Sequence, residues 1–337
     1  FPSACGKTNL AMLIPPVGYE GWNVRTIGDD IAWLHMDESG QIWAINPEAG
    51  YFGVVPGTNE DDNKNAYKAI QSNAIFTNVG LTDDNEPWWE GKKDGNPTID
   101  WKGEEISADE GVFAHPNSRF TVSAKNNPKY SNLADSPSGV PICAIVFGGR
   151  RSELAPLVYE SKDWKHGVLV GASVGSETTA AATGEVGIVR RDPMAMKPFC
   201  GYNFADYWSH WLSFSEQSER LPKIFHVNWF RKNEKGFIWP GFGDNLRVLE
   251  WIIKRCQNKI EALETPIGFL PNLDDIDTKG LEITDESMTD LFNIDQNQWL
   301  QEMDSIKDYF SEYGDRMPEM LIEEHSKVVR ALKNLSD

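Results

Sequence analysis

Hydrophobic and polar positions follow two rhythms along this chain. Over residues 297–313, Trp299, Met303, Ile306 and Phe310 recur three or four apart, and over 318–335 Leu321, Val328, Leu332 and Leu335 form a second apolar face. Such spacing gathers apolar side chains on one stripe per turn, which predicts two amphipathic helices in a helical tail spanning 285–337. Upstream the apolar runs are shorter. They predict strands at 23–27, 31–35, 41–45, 142–147, 167–171, 187–189 and 223–228, and a helix at 7–14 that Pro15 and Pro16 stop. Several of these strands lie too close together for a helix to join each pair, so the pattern predicts an α/β fold on a mixed sheet. Glycine- and proline-rich junctions at 52–57, 148–149 and 240–243 read as loops around a site, and 1–337 reads as one unit.

Composition narrows the function. The net charge of −19 disfavours a surface that holds nucleic acid, because phosphate backbones are bound by summed Lys and Arg. Against that acidic field Lys7, Arg119, Arg150, Arg151 and Arg231 stand in apolar or glycine-rich surroundings, where an anion would go. The four cysteines, Cys5, Cys143, Cys200 and Cys256, lack metal-type spacing, which points to free thiols in a reducing compartment and a cytoplasmic protein. No apolar run approaches 18 residues, so no membrane span is expected. A monomer is expected.

The chemistry concentrates at Cys5-Gly6-Lys7-Thr8, the core of a phosphate-binding loop. Gly6 lets the backbone approach an anion, Lys7 adds a point charge, and the Thr8 hydroxyl can ligate a metal riding on the phosphates. Phe1 stands where the full pattern has a glycine, and on the residues alone Gly6-Lys7-Thr8 could instead only cap a helix. Downstream, Asp29 and Asp30 close a predicted strand. Alternation would send them to opposite sides, one facing the loop and the other orienting it. Together with the loop they read as a metal–nucleotide site. Asn117, Ser118 and Arg119, and Gly149, Arg150 and Arg151, place guanidinium groups beside small residues, as clamps for phosphoryl or carboxylate groups.

The stretches FPSACGKTNLAM (1–12), GDDIAW (28–33), INPEAGYFGVVPGT (45–58), AHPNSRF (114–120), FGGRR (147–151), SETTAAA (176–182) and FHVNWFRKNEKGFIWPGFGDN (225–245) closely resemble the GTP-dependent phosphoenolpyruvate carboxykinases over essentially the whole chain. The resemblance implies the nucleotide-binding, carboxy-terminal part of such an enzyme, a P-loop-type carboxykinase domain with a helical tail. The implied reaction converts oxaloacetate and GTP to phosphoenolpyruvate, CO2 and GDP. It further implies Mn2+ at a catalytic site and Mg2+ or Mn2+ with the nucleotide. Lysine and histidine ligands and a substrate-binding arginine are expected upstream of Phe1.

Carried over residue by residue, the resemblance puts Ala4, Gly6, Lys7, Thr8 and Asn9 on the nucleotide phosphates. Thr8 would ligate the nucleotide metal, and Asp30 the catalytic metal with Asp29 beside it. Arg119 and Arg150 would steady the phosphoryl group in transfer, and Ser3 and Asn117 would lie at the substrate. The segment 229–245 would form a guanine pocket from Trp229, Phe230, Phe237, Phe242 and Asn245. Ser176, Glu177, Thr178, Thr179, Ala180, Ala181, Ala182, Thr183 and Gly184 would form a closing lid, although the same stretch could start a helix. Gly175 stands where many animal members carry arginine, which leaves the anchoring of that lid open. Cys5 is counted with the catalytic residues as the reactive thiol of the four. Lys7 and a helix N-terminus would favour its thiolate, whereas Cys143 and Cys256 are expected to be buried.

Overall fold

The computed structural model describes residues 1–2, 5–107, 111–178 and 186–336. After a one-turn helix α1 (Lys7–Ala11), the first part of the chain is built from short strands: β1 (Trp33–Met36), β2 (Ile42–Ile45), β3 (Gly50–Val54), β4 (Ala74–Thr77), β5 (Gly80–Thr82), β6 (Pro87–Trp88), β7 (Pro97–Ile99), β8 (Arg119–Ser123) and β9 (Val140–Pro141), with α2 (Lys64–Ala69) after β3. They pair as three antiparallel sheets ordered β1-β2-β9, β3-β8-β4 and β6-β5-β7. The β1–β2 turn forms because Asp37 Oδ1 accepts from the backbone N–H of Ser39 (2.9 Å) and Gln41 (3.0 Å). Tyr51, Trp89, Phe120 and Val122 make a small core under these sheets.

The second part holds the larger core. Its strands are β10 (Ala144–Gly148), β11 (Val158–Glu160), β12 (Gly175–Glu177), β13 (Val189–Arg191), β14 (Lys223–Val227), β15 (Lys232–Asn233), β16 (Gly236–Phe237), β17 (Leu263–Thr265) and β18 (Gly268–Leu270). The helices are α3 (Trp164–Ala172), α4 (Phe204–Gln217), α5 (Asn245–Cys256), α6 (Asp285–Phe292), α7 (Gln296–Ser311) and α8 (Glu319–Lys333). Five strands form one sheet ordered β10-β14-β11-β18-β17, parallel between β10 and β14 and antiparallel elsewhere. In β14, Ile224, Phe225, His226 and Val227 are all buried, as expected of a central strand covered on both faces. Helix α3 packs on β14, α4 and α8, and α7 packs on α8.

Several boundaries differ from the sequence reading. Residues 167–171, expected as a strand, are the interior of α3, whose start is capped by Asp163 accepting from His166 N at 2.8 Å. Eight of its nine residues are buried. A helix apolar on every side has no 3.6-residue signature to separate it from a buried strand. Its glycines serve close packing: a Cβ on Gly167 would lie 2.5 Å from Ile224 Cδ1, and one on Gly171 2.6 Å from Phe147. Residues 23–27 form no strand, only a single bridge between Thr26 and Tyr130. Helix α1 ends at Ala11, before the proline pair, and the strands expected at 31–35 and 187–189 lie two residues later as β1 and β13.

Candidate functional site

Gly6 occupies the left-handed region (φ 88°) at the N-cap of α1, a conformation that costs glycine little and other residues more. Its carbonyl accepts the first helical bond, from Leu10 N at 2.9 Å, so the N–H groups of Lys7, Thr8 and Asn9 precede the helical ladder. A five-residue helix has little dipole, so the loop's affinity for an anion rests on these N–H groups and on Lys7. Ser3 and Ala4 lie outside the described residues.

The two aspartates both meet this loop. Residues 29–30 form a bend rather than the end of a strand, so the expected opposite orientation does not arise. Asp29 Oδ2 accepts from Thr8 Oγ1 at 3.0 Å, and Asp30 pairs with Lys7. Asp29 is buried, and its Oδ1 has no protein partner. Burial pushes its carboxyl up to about 6 against the hydrogen bond from Thr8, with Asp30 and Glu48 raising it further. A buried carboxylate with an unused oxygen, a hydroxyl on its other oxygen and a second carboxylate next in sequence is a donor set suited to a hard divalent cation. No group of three or more His, Cys, Asp or Glu placed to hold a metal exists among the described residues.

Two arginines are linked to this region, Arg119 electrostatically through Asp30 and Arg150 by its backbone through Ser176. Arg119 Nε donates to Asn117 Oδ1 (2.9 Å), its guanidinium lies 5.3 Å from the Phe52 ring, and it is electrostatically coupled to Asp30. The Arg150 guanidinium lies 4.0 Å from the ring centre of Phe230. Arg150 N donates to Ser176 Oγ (3.0 Å), which is 3.5 Å from Cys5 Sγ. Two other cations singled out in the sequence are engaged structurally. Arg151 forms a two-pronged pair with Glu302, and Arg231 donates to the carbonyl of Asn293 (3.2 Å).

Ser176 and Glu177 belong to β12, which pairs with β13, and Thr178 N continues the ladder to Ile188 O at 2.9 Å. These residues are therefore extended and do not start a helix. Glu177 accepts from Ser152 N (2.6 Å) and Ser152 Oγ (2.7 Å), tying the hairpin to the arginine loop. Thr179, Ala180, Ala181, Ala182, Thr183 and Gly184 lie outside the described residues.

In the aromatic segment the rings divide. Phe237 and Phe242 are half exposed, and Phe230 meets Phe237 edge-on at 6.0 Å. Trp229 is buried in the main core and backs the segment, while Asn245 starts α5 and accepts from Trp239 Nε1 at 2.8 Å. Phe242, Asn9, Met12 and Asn63 line a cavity of about 440 Å³ beside α1. A larger opening, about 730 Å³ between α7 and α8, includes no residue of the loop, so size alone does not locate the site.

The thiols are reversed from expectation. Cys5 is buried, 1% exposed, whereas Cys143 is exposed. Contact with the Cys256 thiol lowers Cys143 to about 6, against burial that raises it, and the same contact raises Cys256. Sequence reasoning also passed over Glu302 and Arg191, which join Arg151 behind the arginine loop. Both looked like ordinary charged surface positions in a helix and a strand, and only their convergence distinguishes them.

A model of the carboxy-terminal P-loop domain of phosphoenolpyruvate carboxykinase matches residues 1–331. The GTP-type phosphoenolpyruvate carboxykinase of Anaeromyxobacter dehalogenans is 51% identical over 325 residues, 95% of this chain and 54% of the relative. The proteins of the same name from Chlamydia muridarum and Thermoplasma volcanium are each 51% identical, over 99% and 96% of this chain and 56% and 55% of their own lengths. The chain thus spans about half the length of the curated relatives it matches. On the extent of this match, the chain belongs to the phosphoenolpyruvate carboxykinase family and comprises its carboxy-terminal P-loop domain.

Proposed function

We propose that this chain is the nucleotide-binding part of a GTP-dependent phosphoenolpyruvate carboxykinase that converts oxaloacetate and GTP to phosphoenolpyruvate, CO2 and GDP. The observation that carries the proposal is the cluster in which Thr8 meets Asp29 and Lys7 meets Asp30 at the Gly6 turn. Lys7 would leave Asp30 for the β- and γ-phosphates, with the N–H groups of the loop holding the same oxygens. A divalent cation on Thr8 would accompany the nucleotide phosphates, and a second held by Asp30, with Asp29 beside it, would supply charge at the catalytic site. Manganese is proposed at the catalytic site, and magnesium or manganese with the nucleotide.

In the reaction, loss of CO2 leaves the electron pair of the broken C–C bond in an enolate. The enolate oxygen then attacks the γ-phosphorus, and GDP departs. No side-chain nucleophile is required. Arg119 and Arg150, from separate segments of the chain, would hold the three equatorial oxygens of the moving phosphoryl group. Asn117 orients Arg119 by accepting from its Nε, and Asn117 and Ser3 would bind the substrate. Phe230, Phe237 and Phe242 would enclose the guanine, backed by Trp229 and Asn245. Residues 176–184 would close over the bound ligands, and α6–α8 would serve as the supporting tail of the single unit 1–337. The enzyme is proposed to act as a cytoplasmic monomer. No helix among the described residues is long and apolar enough to cross a membrane.

A coupled assay of the full-length protein with oxaloacetate and GTP, ITP or ATP tests this reading. Turnover with GTP and ITP but not ATP is expected, and comparable turnover with ATP would overturn the guanine assignment. Nucleotide binding without turnover would leave a GTP-binding module, and γ-phosphoryl transfer without oxaloacetate would point to a kinase.

A further inference from the structure

The four cysteines divide into two that find other partners and two that meet. Cys5 Sγ lies 3.5 Å from Ser176 Oγ, and Cys200 Sγ donates to the Tyr202 carbonyl at 3.4 Å. Cys143 and Cys256 are 113 positions apart in the chain, yet the Cys256 thiol donates to the Cys143 carbonyl at 3.4 Å and also lies against the Cys143 thiol. Both are free thiols. Cys143 is exposed and Cys256 half-buried behind it, so a small oxidant in solution meets Cys143 first.

The fold brings the two thiols together. Cys143 immediately precedes β10, and its carbonyl also accepts from Lys223 N at 3.1 Å, where β10 begins its ladder with β14. Cys256 is the last residue of α5, which packs on β10. From this point β10 leads forward to Gly148 and the Arg150 loop, and α5 leads back to Asn245. A five-residue strand and a twelve-residue helix are about 16 Å and about 18 Å long, so the thiols join these elements at the ends away from Arg150 and Asn245. Chemistry here acts on the framework between sheet and helix rather than on the phosphate loop.

The geometry points to Cys143 and Cys256 as a dithiol oxidation site, which hydrogen peroxide closes to an intrachain disulfide that fastens the end of α5 to the start of β10. In the first step the Cys143 thiolate attacks a peroxide oxygen and the O–O bond breaks. The displaced hydroxide takes up the proton that Cys143 released and leaves as water. In the second step the Cys256 sulfur attacks the sulfur of the Cys143 sulfenic acid. The S–S bond forms, the S–O bond breaks, and the hydroxyl leaves as water with the Cys256 proton. Two thiols and one peroxide thus give one disulfide and two waters, with two electrons passing from sulfur to oxygen. The contact itself sets this order. The Cys256 thiol favours the thiolate on Cys143, lowering it to about 6, and that thiolate in turn holds the Cys256 proton. Once Cys143 is a neutral sulfenic acid the hold is lost, while the Lys223 ammonium still favours a Cys256 thiolate. This site is independent of the function proposed above.

The test exposes the reduced full-length protein to hydrogen peroxide and maps its cysteines by mass spectrometry without reduction. The first product should be a cross-link between the peptides holding Cys143 and Cys256, about 2 Da lighter than the two together and reversed by dithiothreitol, while Cys5 stays reduced. Cys256→Ser should leave Cys143 as a sulfenic acid that dimedone traps, and Cys143→Ser should slow oxidation of Cys256 by about tenfold or more. Closing so long a loop should raise the melting temperature of the oxidised protein by about 3 °C over the reduced one, and Cys256→Ser should abolish that rise. Earlier oxidation of Cys5 or Cys200, a cross-link from Cys143 to any other cysteine, or a sulfinic acid on Cys143 with no disulfide would overturn the proposal. A lower melting temperature after oxidation would also overturn it, because the fold would then have to distort to bring the two sulfurs within bonding distance.

Discussion

Helices α1 and α3 show how differently the two sides of the site are held. In α3, eight of nine residues are buried between β14, α4 and α8; in α1, none is. The α3 side owes its shape to apolar burial and helix–sheet contact so close that only glycine fits at 167 and 171. The α1 side is held through polar contacts: Thr8 to Asp29, Lys7 to Asp30, and Asn63 to Asn9. The difference teaches a division of labour. Arg150 and the hairpin stand on a frame held by apolar packing, while Lys7, Thr8 and Asp29 belong to a segment held by polar pairs, the partners that the proposed phosphate and metal would replace.

The largest effect expected from this contrast is on the loop side and on rate alone. Lys7→Ala should lower turnover of the full-length protein by about 10³-fold or more, as loss of a charge aimed at the transferring phosphate does. Its melting temperature should hardly move, because the Lys7–Asp30 pair is one-third exposed and worth about 1 kcal/mol or less. A large drop in melting temperature would break the comparison.

The mirror experiment is Trp251→Ala, at a side chain fully buried on the inner face of α5. Urea unfolding should show a loss of about 3–5 kcal/mol, while nucleotide affinity of the folded protein is retained. Equal losses of stability and affinity would mean that the two sides are not separable.

Acid should next strike the framework. Burial holds His166 at about 4 and His226 at about 3, with Arg151 adding to the latter, so both are neutral in the fold. The unfolded chain binds these protons near 6.5, so the stability from each neutral histidine is complete above that pH and is lost as pH falls toward 4. Between pH 7 and pH 5 each should cost about 2 kcal/mol, read from urea midpoints. His166→Gln should remove about half of the histidine-linked pH dependence, and an unchanged slope would count against its burial in the neutral form.

The smallest effect concerns the thiols. Limiting iodoacetamide should label Cys143 before Cys5, with little loss of activity and no protection by GDP and Mn2+. Labelling first at Cys5, with protection by nucleotide, would show that the loop opens more readily than its burial indicates.

The sequence was most legible where one periodicity had one cause. The stripe Trp299, Met303, Ile306 and Phe310 is buried on α7, and β10 and β14 lie where apolar runs expected strands. It misled at Gly167–Gly171, where burial on all sides erased the period, and at Asp29 and Asp30, where a bend replaced the assumed alternation. Exposure of Cys143 was likewise invisible, because a residue beside an apolar strand looks buried until the neighbours covering that strand are known.

By itself the sequence determined the local donor set: the conformation at Gly6, a cation and a hydroxyl following it, and carboxylates within one connection of them are local matters of residue type and spacing. Only the tertiary structure decided how those groups are shared. It assigned Asp29 to Thr8 and Asp30 to Lys7, withdrew Arg151 from the anion site to Glu302, set Trp229 behind its neighbouring rings, and brought Arg191 across from Gly175. The reason is physical. Spacing along the chain limits what a residue can reach, but burial and competition among partners far apart in sequence determine which contact it makes.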